Sequence, residues 1–331
     1  MDDVEQEIRS RLARVVEEAR GRRTLSERAE RGDDETTRRQ LAQLAILDAD
    51  LRYVLAAVEE VAAGLLGADL LPSVLALRAA LATDSPERQQ ILTHRTTAAW
   101  TGFLAGAGSL DVAADGSVTG RLGYVPDGSS ATRLVAVLPD ETGAAVHLVD
   151  IEDARRAPLA VLDLTRPAAT VELRAARSWP LGRLPTVELE QVRAAWLVAV
   201  AADCLGGMRA AFDAAVAYAR ERKAFGRAIG SFQAVRHRCA DMFVDVETTR
   251  AVIDGAITAL DEGGEDPLVL ALAAASHAMD AFSRVAEAAV LVHGALGFTY
   301  ECDVHFYLRR AYGNAALLGA VDSLRAELAT L

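Results

Sequence analysis

From Phe232 onward, Val235, Cys239, Met242, Val246, Thr249, Ile253, Ala256 and Leu260 recur at alternating three- and four-residue steps. That spacing lays one apolar stripe along one face of an α-helix. It predicts a helix of ~30 residues, ~45 Å long. Ser231 is the expected N-cap, and "DEGGED" ends the run. Three more helical patterns flank it, from Val187 to Arg220, from about Pro267 to Val292, and from about Val304 to Leu328. Together they read as an antiparallel four-helix bundle over residues 185–331.

The rest of the chain has a different texture. Residues 102–184 hold short runs rich in β-branched residues, "GSVTGRLGYVP", "ATRLVAVLP", "AAVHLVDIE" and "ATVELRAA", separated by Gly, Pro and Asp turns. They predict a small antiparallel β domain. Residues 1–101 read as helical: Leu51, Leu55, Val58 and Ala62 keep helical spacing, and Pro72 can open a further helix. "RAERGDDETTRRQ" reads as a solvated loop or exposed helix. The expected fold class is α+β, mostly α, in the order helical domain, β domain, helical bundle.

Composition narrows the function classes. The net charge of −12 argues against nucleic acid or an anionic membrane as the main partner. The three cysteines, Cys204, Cys239 and Cys302, have neither zinc-ligand spacing nor the pattern of a disulfide framework. No metal site is expected, and a reducing cytoplasm is. The start, "MDDVEQEIRSRL", is acidic and amphipathic, unlike a signal peptide. No apolar run reads as a membrane span; "VAAGLLGADLLPSVLALRAALA" is broken by Gly, Asp and Pro.

Against that acidic background, "YARERKAFGRAIGSFQAVRHRCADM" (Tyr218 to Met242) holds five arginines and the chain's only lysine. Arg220, Arg222, Lys223 and Arg227 fall at the junction of two long helices, where Gly226 and Gly230 let the backbone turn. The following helix begins there with free N–H groups and a positive dipole end. An arginine beside such a turn can grip a pyrophosphate bidentately. Phe225 could pack on a ribose or ring, and Gln233 offers an amide. A solvated basic corner between helices accounts for the same residues.

This stretch resembles the carboxy-domain signature of the acyl-CoA dehydrogenases. "HGALGFTYECDVHFYLRRA", His293 to Ala311, resembles a second signature of that family, where HGG-x-GFT-aromatic-E is usual. The resemblance is strongest over about 185 to 312. It implies the three-part fold above and flavin chemistry on a CoA thioester, in which a carboxylate removes a proton beside the carbonyl while hydride passes to FAD. By resemblance, Arg222, Phe225 and Gln233 hold the diphosphate and adenine end of a neighbouring subunit's FAD. Gly294 and Gly297 approach the same cofactor.

The departures from the family fall together. The family base is usually a glutamate in a Y-E-G-T-like run after the R-D-A or R-R-A element. Here the run after Arg309-Arg310-Ala311 is "YGNAALLGAV", and Leu318 stands before Gly319 where the glutamate would be. Members with the base on the first bundle helix would place it at Trp196, counted back from "LGGM". Neither side chain can take a proton. Glu188 and Glu190 lie about two turns from Trp196. Leu291 replaces a usual glutamine, and Ala295 the second glycine of HGG. The T-x-P-x-x-GSD, W-I-T-like and P-E-x-x-GG elements are not recognisable.

The chain thus resembles the non-catalytic subunit of two-gene heterotetrameric acyl-CoA dehydrogenases of actinobacterial steroid catabolism. That implies an unlike partner subunit holding the acyl-CoA, FAD at their interface, no catalytic residue here, and an electron-transfer flavoprotein as acceptor. Other readings stand beside these. His293 packs at a helix end as readily as it touches cofactor. Glu301 and Asp303 read as caps of the last helix. Cys239 reads as core. Trp196 fills either core or the space of a substrate chain.

Overall fold

The computed structural model describes residues 2–31, 33, 36–37, 40–41, 49–66, 70–83, 96–100, 108–262 and 266–331. Most of "RAERGDDETTRRQ" beyond Arg31, and the start of "FLAGAGSLDVAADG", lie outside these residues. The amino-terminal part holds α1 (Asp3–Arg22), α2 (Leu25–Arg31), α3 (Leu51–Ala63) and α4 (Leu70–Leu81). Asp2 caps α1 by accepting the Glu5 N–H at 2.8 Å. α3 is buried over most of its surface, Glu59 and Glu60 included.

Eight strands follow: β1 (Thr96–Trp100), β2 (Ser109–Val112), β3 (Val118–Pro126), β4 (Arg133–Asp140), β5 (Gly143–Asp150), β6 (Arg155–Pro158), β7 (Ala168–Ala176) and β8 (Ser178–Pro185). They form two four-stranded sheets, in orders β1-β4-β5-β8 and β2-β3-β7-β6. β1, ahead of residue 102, pairs in parallel with β4, so the strand region is not wholly antiparallel. "TTAAW" carries no turn residue to announce that pairing. Alternation along β4 serves two cores. Leu134 and Ala136 pack between the sheets with Leu122 and Val171. Val135 and Val137 face the helices in the main core.

The carboxy-terminal helices are α5 (Thr186–Glu221), α6 (Gln233–Glu262), α7 (Pro267–His293), α8 (Val304–Gly313), α9 (Ala315–Leu318) and α10 (Val321–Leu328). In α6 the expected stripe is buried at Met242, Val246, Thr249, Ile253 and Ala256, and half-buried at Val235, Cys239 and Leu260. Three expectations are corrected. Ser231 does not cap α6; its hydroxyl donates to the Ala228 carbonyl at 2.7 Å within a 3-10 turn. The last helix is three pieces, broken at Asn314 and at Gly319, whose φ of +83° only glycine adopts readily. Two helical stretches, Thr186–Glu221 and Pro267–Phe298, are long and apolar enough to span a bilayer by length and composition. Most of each apolar window, 83% and 61%, is buried inside the protein, so these helices build its core.

Glycine brings α5 close to its neighbours. A Cβ on Gly206 would lie 2.0 Å from the Glu59 carbonyl oxygen of α3, and one on Gly207 would lie 2.4 Å from the Phe282 ring of α7. Charge closes the same junction. Glu59 pairs with Arg9 at 2.7 Å and Arg250 at 3.4 Å, and Glu60 with Arg209 at 2.8 Å. α1, α3, α5 and α6 are thereby tied together.

A second buried group joins strands to bundle. Arg310 on α8 meets Asp163, in the β6–β7 connection, at 3.2 Å, and donates to the Thr165 hydroxyl at 2.7 Å. It lies 3.5 Å from Asp203 on α5. Arg166 pairs with the same Asp203 and donates to the Asn314 side-chain oxygen at 2.5 Å. Asn314 donates in turn to the Cys204 sulfur at 3.0 Å. Both carboxylates and both guanidiniums are buried.

Removing one partner from such a group leaves an uncompensated buried charge. Asp203→Ala is expected to lower unfolding stability by about 3–5 kcal/mol, read from denaturant midpoints. Gly206→Ala should cost about 1–3 kcal/mol through overpacking. Gly255→Ala, on α6 with nothing within 4 Å of the added carbon, should instead gain roughly 0.5–1 kcal/mol. Equal midpoints for the two glycine variants would disprove the close α3–α5 approach.

Candidate functional site

α5 ends at Glu221, and the chain forms a two-stranded hairpin before α6. β9 (Lys223–Ala224) and β10 (Arg227–Ala228) pair antiparallel, with Arg227 opposite Ala224 and Ala228 opposite Lys223. The Ile229 N–H extends the contact by donating to the Arg222 carbonyl at 2.8 Å. The two turn residues both have positive φ, Phe225 at +53° and Gly226 at +79°. Such tight hairpin turns favour this backbone and normally take Asn, Asp or Gly. A bulky aromatic at that position costs about 1–2 kcal/mol.

The Phe225 ring earns little from burial in return, being 95% exposed. Its described aromatic neighbour is Phe232, edge to face at 6.1 Å between centroids. Among the described residues, no hydrogen bond or ion pair engages the Arg222 guanidinium or the Gln233 amide. Arg222 is the C-cap residue of α5, and Gln233 is the first residue of α6. The hairpin therefore presents a free cation, a free amide and a bare ring beside the electropositive start of a 30-residue helix.

The second predicted element reaches the same end of the bundle. The His293 ring, at the end of α7, stacks on Tyr218 near the end of α5, with centroids 4.4 Å apart. His293 is buried, and its Nδ1 lies 2.8 Å from the Ala289 carbonyl oxygen. The two glycines that follow have intramolecular reasons to be glycine. Gly294 ends α7 at φ +65°, its N–H reaching the Leu291 and Val290 carbonyls. A Cβ on Gly297 would lie 2.8 Å from the Val290 oxygen. Leu291 is 59% exposed at the expected glutamine position.

The two positions that the sequence comparison singled out for a base are both buried. Leu318 is 6% exposed at the end of α9, and Trp196 is 1% exposed on α5. Among the described residues the Trp196 indole N–H has no hydrogen-bond partner, so this side chain acts as apolar filling at some polar cost. The expected caps are corrected. Asp303 precedes α8 in helical conformation and makes no side-chain cap bond. Glu301 is exposed and lines a groove of about 1310 Å³ with Arg20, Asp213, His293 and Tyr307.

Sequence reasoning missed the buried Arg166–Asp203–Arg310–Asp163 group. Its one local signal is an aspartate, Asp203, inside the apolar helical run "VAVAADCLGG". Among the described residues, no cluster of His, Cys, Asp and Glu could hold a metal ion.

Comparison with known proteins fits this layout. Residues 197–330 match the family described as acyl-CoA dehydrogenase, C-terminal domain. Acyl-CoA dehydrogenase IpdE2 of Mycobacterium tuberculosis is 30% identical over 265 residues, covering 79% of this chain and 71% of that protein. Acyl-CoA dehydrogenase FadE34 of the same organism is 36% identical over 207 residues, 62% of this chain but only 28% of FadE34's own length. Among solved structures, the ChsE4-ChsE5 complex from M. tuberculosis superposes with a TM-score of 0.86 at 23% identity, covering 100% of this chain and 97% of that one. A variant of the Tcur3481-Tcur3483 steroid ACAD gives 0.83 at 23% identity, covering 99% of both chains. These two show likeness of fold. The match to IpdE2 across most of both proteins shows that this chain belongs to the acyl-CoA dehydrogenase family.

Proposed function

We propose that this chain is the base-free subunit of a heteromeric, FAD-dependent acyl-CoA dehydrogenase and completes the FAD site of an unlike partner. The observation that carries the reading is the hairpin. Phe225 is held in a costly backbone conformation with its ring in water, beside an Arg222 and a Gln233 whose side chains make no hydrogen bond or ion pair among the described residues. A residue kept in strain without an internal use points to an external one.

The residues fit one end of the cofactor. Arg222 matches a diphosphate oxygen pair, Gln233 a further polar atom, and Phe225 the flat face of an adenine. The first turn of α6 adds its N-terminal dipole. Gly294 and Gly297 shape the adjoining turn, Gly294 exposed and Gly297 buried against Val290. Bound FAD supplies the hydride acceptor for α,β-desaturation of the thioester. This chain contributes binding and orientation, and the partner supplies the proton-abstracting carboxylate and most of the acyl-CoA contact. Leu318 and Trp196, both buried, support that division. The two-component names of the ChsE4-ChsE5 and Tcur3481-Tcur3483 structures support an unlike partner, and "steroid ACAD" in the latter supports a steroid-derived acyl group. An electron-transfer flavoprotein as acceptor and a cytoplasmic location belong to the same proposal.

The test is to purify the chain alone and together with the product of its genomic neighbour. Flavin and thioester oxidation are expected only in the complex. Stoichiometric flavin and turnover in the lone chain would point instead to a self-sufficient enzyme with a relocated base. Arg222→Ala should weaken flavin retention by the complex by roughly 1.5–3 kcal/mol, the worth of a charge-assisted contact. A protein that only docks a partner would assemble without any such loss. Phe225→Asn should act with opposite signs on two readouts. It should raise the lone chain's unfolding stability by about 1 kcal/mol by relieving the turn, and it should lower flavin retention by the complex. A variant less stable than wild type would refute the strain argument.

A further inference from the structure

We infer that Arg227 is a second guanidinium arm of the same grip, held ready by the Phe232 ring; this rests on the nucleotide-binding reading above. Side chains alternate across a strand, and paired residues share a face. Arg227 pairs with Ala224, and Ile229 lies opposite Arg222 through the 2.8 Å bond between them. Arg222, Ala224, Arg227 and Ile229 therefore project to one face of the hairpin, and Lys223 and Ala228 to the other. The two arginines share a face, with Ala224 and Ile229 beside them.

The Arg227 guanidinium carbon lies 4.1 Å from the centroid of the Phe232 ring. Among the described residues, no carboxylate pairs with it, although the chain has 47 acidic side chains for 35 basic ones. Its neighbour Arg236 has an internal use, donating to the Gly230 carbonyl at 3.0 Å. Stacking on an aromatic uses the flat face of a guanidinium and leaves its in-plane N–H edge free. Phe232 thus does for Arg227 what an aspartate would otherwise do, fixing its position, without cancelling its charge. It also meets the edge of Phe225, so one ring orders both the cation and the exposed aromatic.

The ligand chemistry calls for such a pair. A dinucleotide's diphosphate carries a charge on each phosphate, and Arg222 alone answers one. A second guanidinium on the same face, reached without reorganisation, answers the other. Lys223, on the opposite face, is not so placed.

The test uses the complex with its partner, with FAD as the probe. Arg227→Met keeps an apolar stem over Phe232 and removes the charge; Arg227→Lys keeps the charge. The expected result is a rise in the FAD dissociation constant of about tenfold or more for Arg227→Met, and a smaller rise for Arg227→Lys. The dissociation constant should also depend less steeply on salt in Arg227→Met, which loss of packing would not produce. If Arg227→Met holds FAD like wild type while Arg222→Ala loses it, the second arm is refuted and the nucleotide reading survives. If neither loses FAD, the nucleotide reading itself fails. Equal losses in the Met and Lys variants, with unchanged salt dependence, would make Arg227 a packing residue. Should Arg227→Met not assemble, Arg227→Gln replaces it. Failure of both neutral variants to assemble, with Arg227→Lys assembling, would assign the charge to the subunit interface and also overturn the inference.

Discussion

The buried pairing of Arg166 and Arg310 with Asp163 and Asp203 is the contact on which the remaining architecture depends. It is where the strand region, the central helix α5 and the segment after α8 meet. Burial alone would depress the Arg166 guanidinium, but Asp203 and Asp163 outweigh it and hold Arg166 above its usual range. Asn314 extends the group to Cys204, whose thiol burial pushes far up, so the sulfur is a neutral acceptor and not a nucleophile. The same group borders the segment that carries Leu318. Asn314, held by Arg166 and Cys204, keeps helical φ and ψ, and the chain continues into the short α9 with Leu317 and Leu318 buried. A group that is costly to desolvate thus lies at the junction of α8 and α9.

What could be read from the sequence follows from range of interaction. The α6 stripe was legible because helical periodicity is a local property, and so were the lengths of α5 and α7. The order of helices, strands and helices was legible for the same reason. The β1–β4 pairing was not, because a parallel pair is a tertiary choice that "TTAAW" does not encode. Nor was the break at Asn314, since its partners Arg166 and Cys204 lie 148 and 110 residues away in the chain. Ser231 failed as a cap for a subtler reason. The preceding residues close a 3-10 turn, and the hydroxyl is used there before α6 begins.

The candidate site shows the same division at smaller scale. Motif matching selected Arg222, Phe225, Gln233, Gly294 and Gly297 together, yet the structure separates them by what each does for the fold. Gly294 is required by a left-handed helix end and Gly297 by a carbonyl oxygen against its α-carbon. Both would be glycine in a chain that bound nothing. Phe225 has no such excuse: a glycine or asparagine would suit its turn better, and almost none of its ring is covered. Its identity opposes local stability, as the proposed contact outside the chain requires.

The chain therefore treats two surfaces in opposite ways. Around Trp196 and Leu318 apolar side chains are packed in, and α5 approaches α3 closely enough that the Gly206 position has no room for a side chain. At the α5–α6 corner, polar groups and an aromatic ring are left uncovered. Burying apolar side chains at the first surface stabilises the fold, whereas exposing the second costs it. A chain that had merely decayed would be expected to lose the costly surface first, since nothing in its own folding sustains it. A strained, exposed corner beside a filled interior is what the proposed supporting role requires.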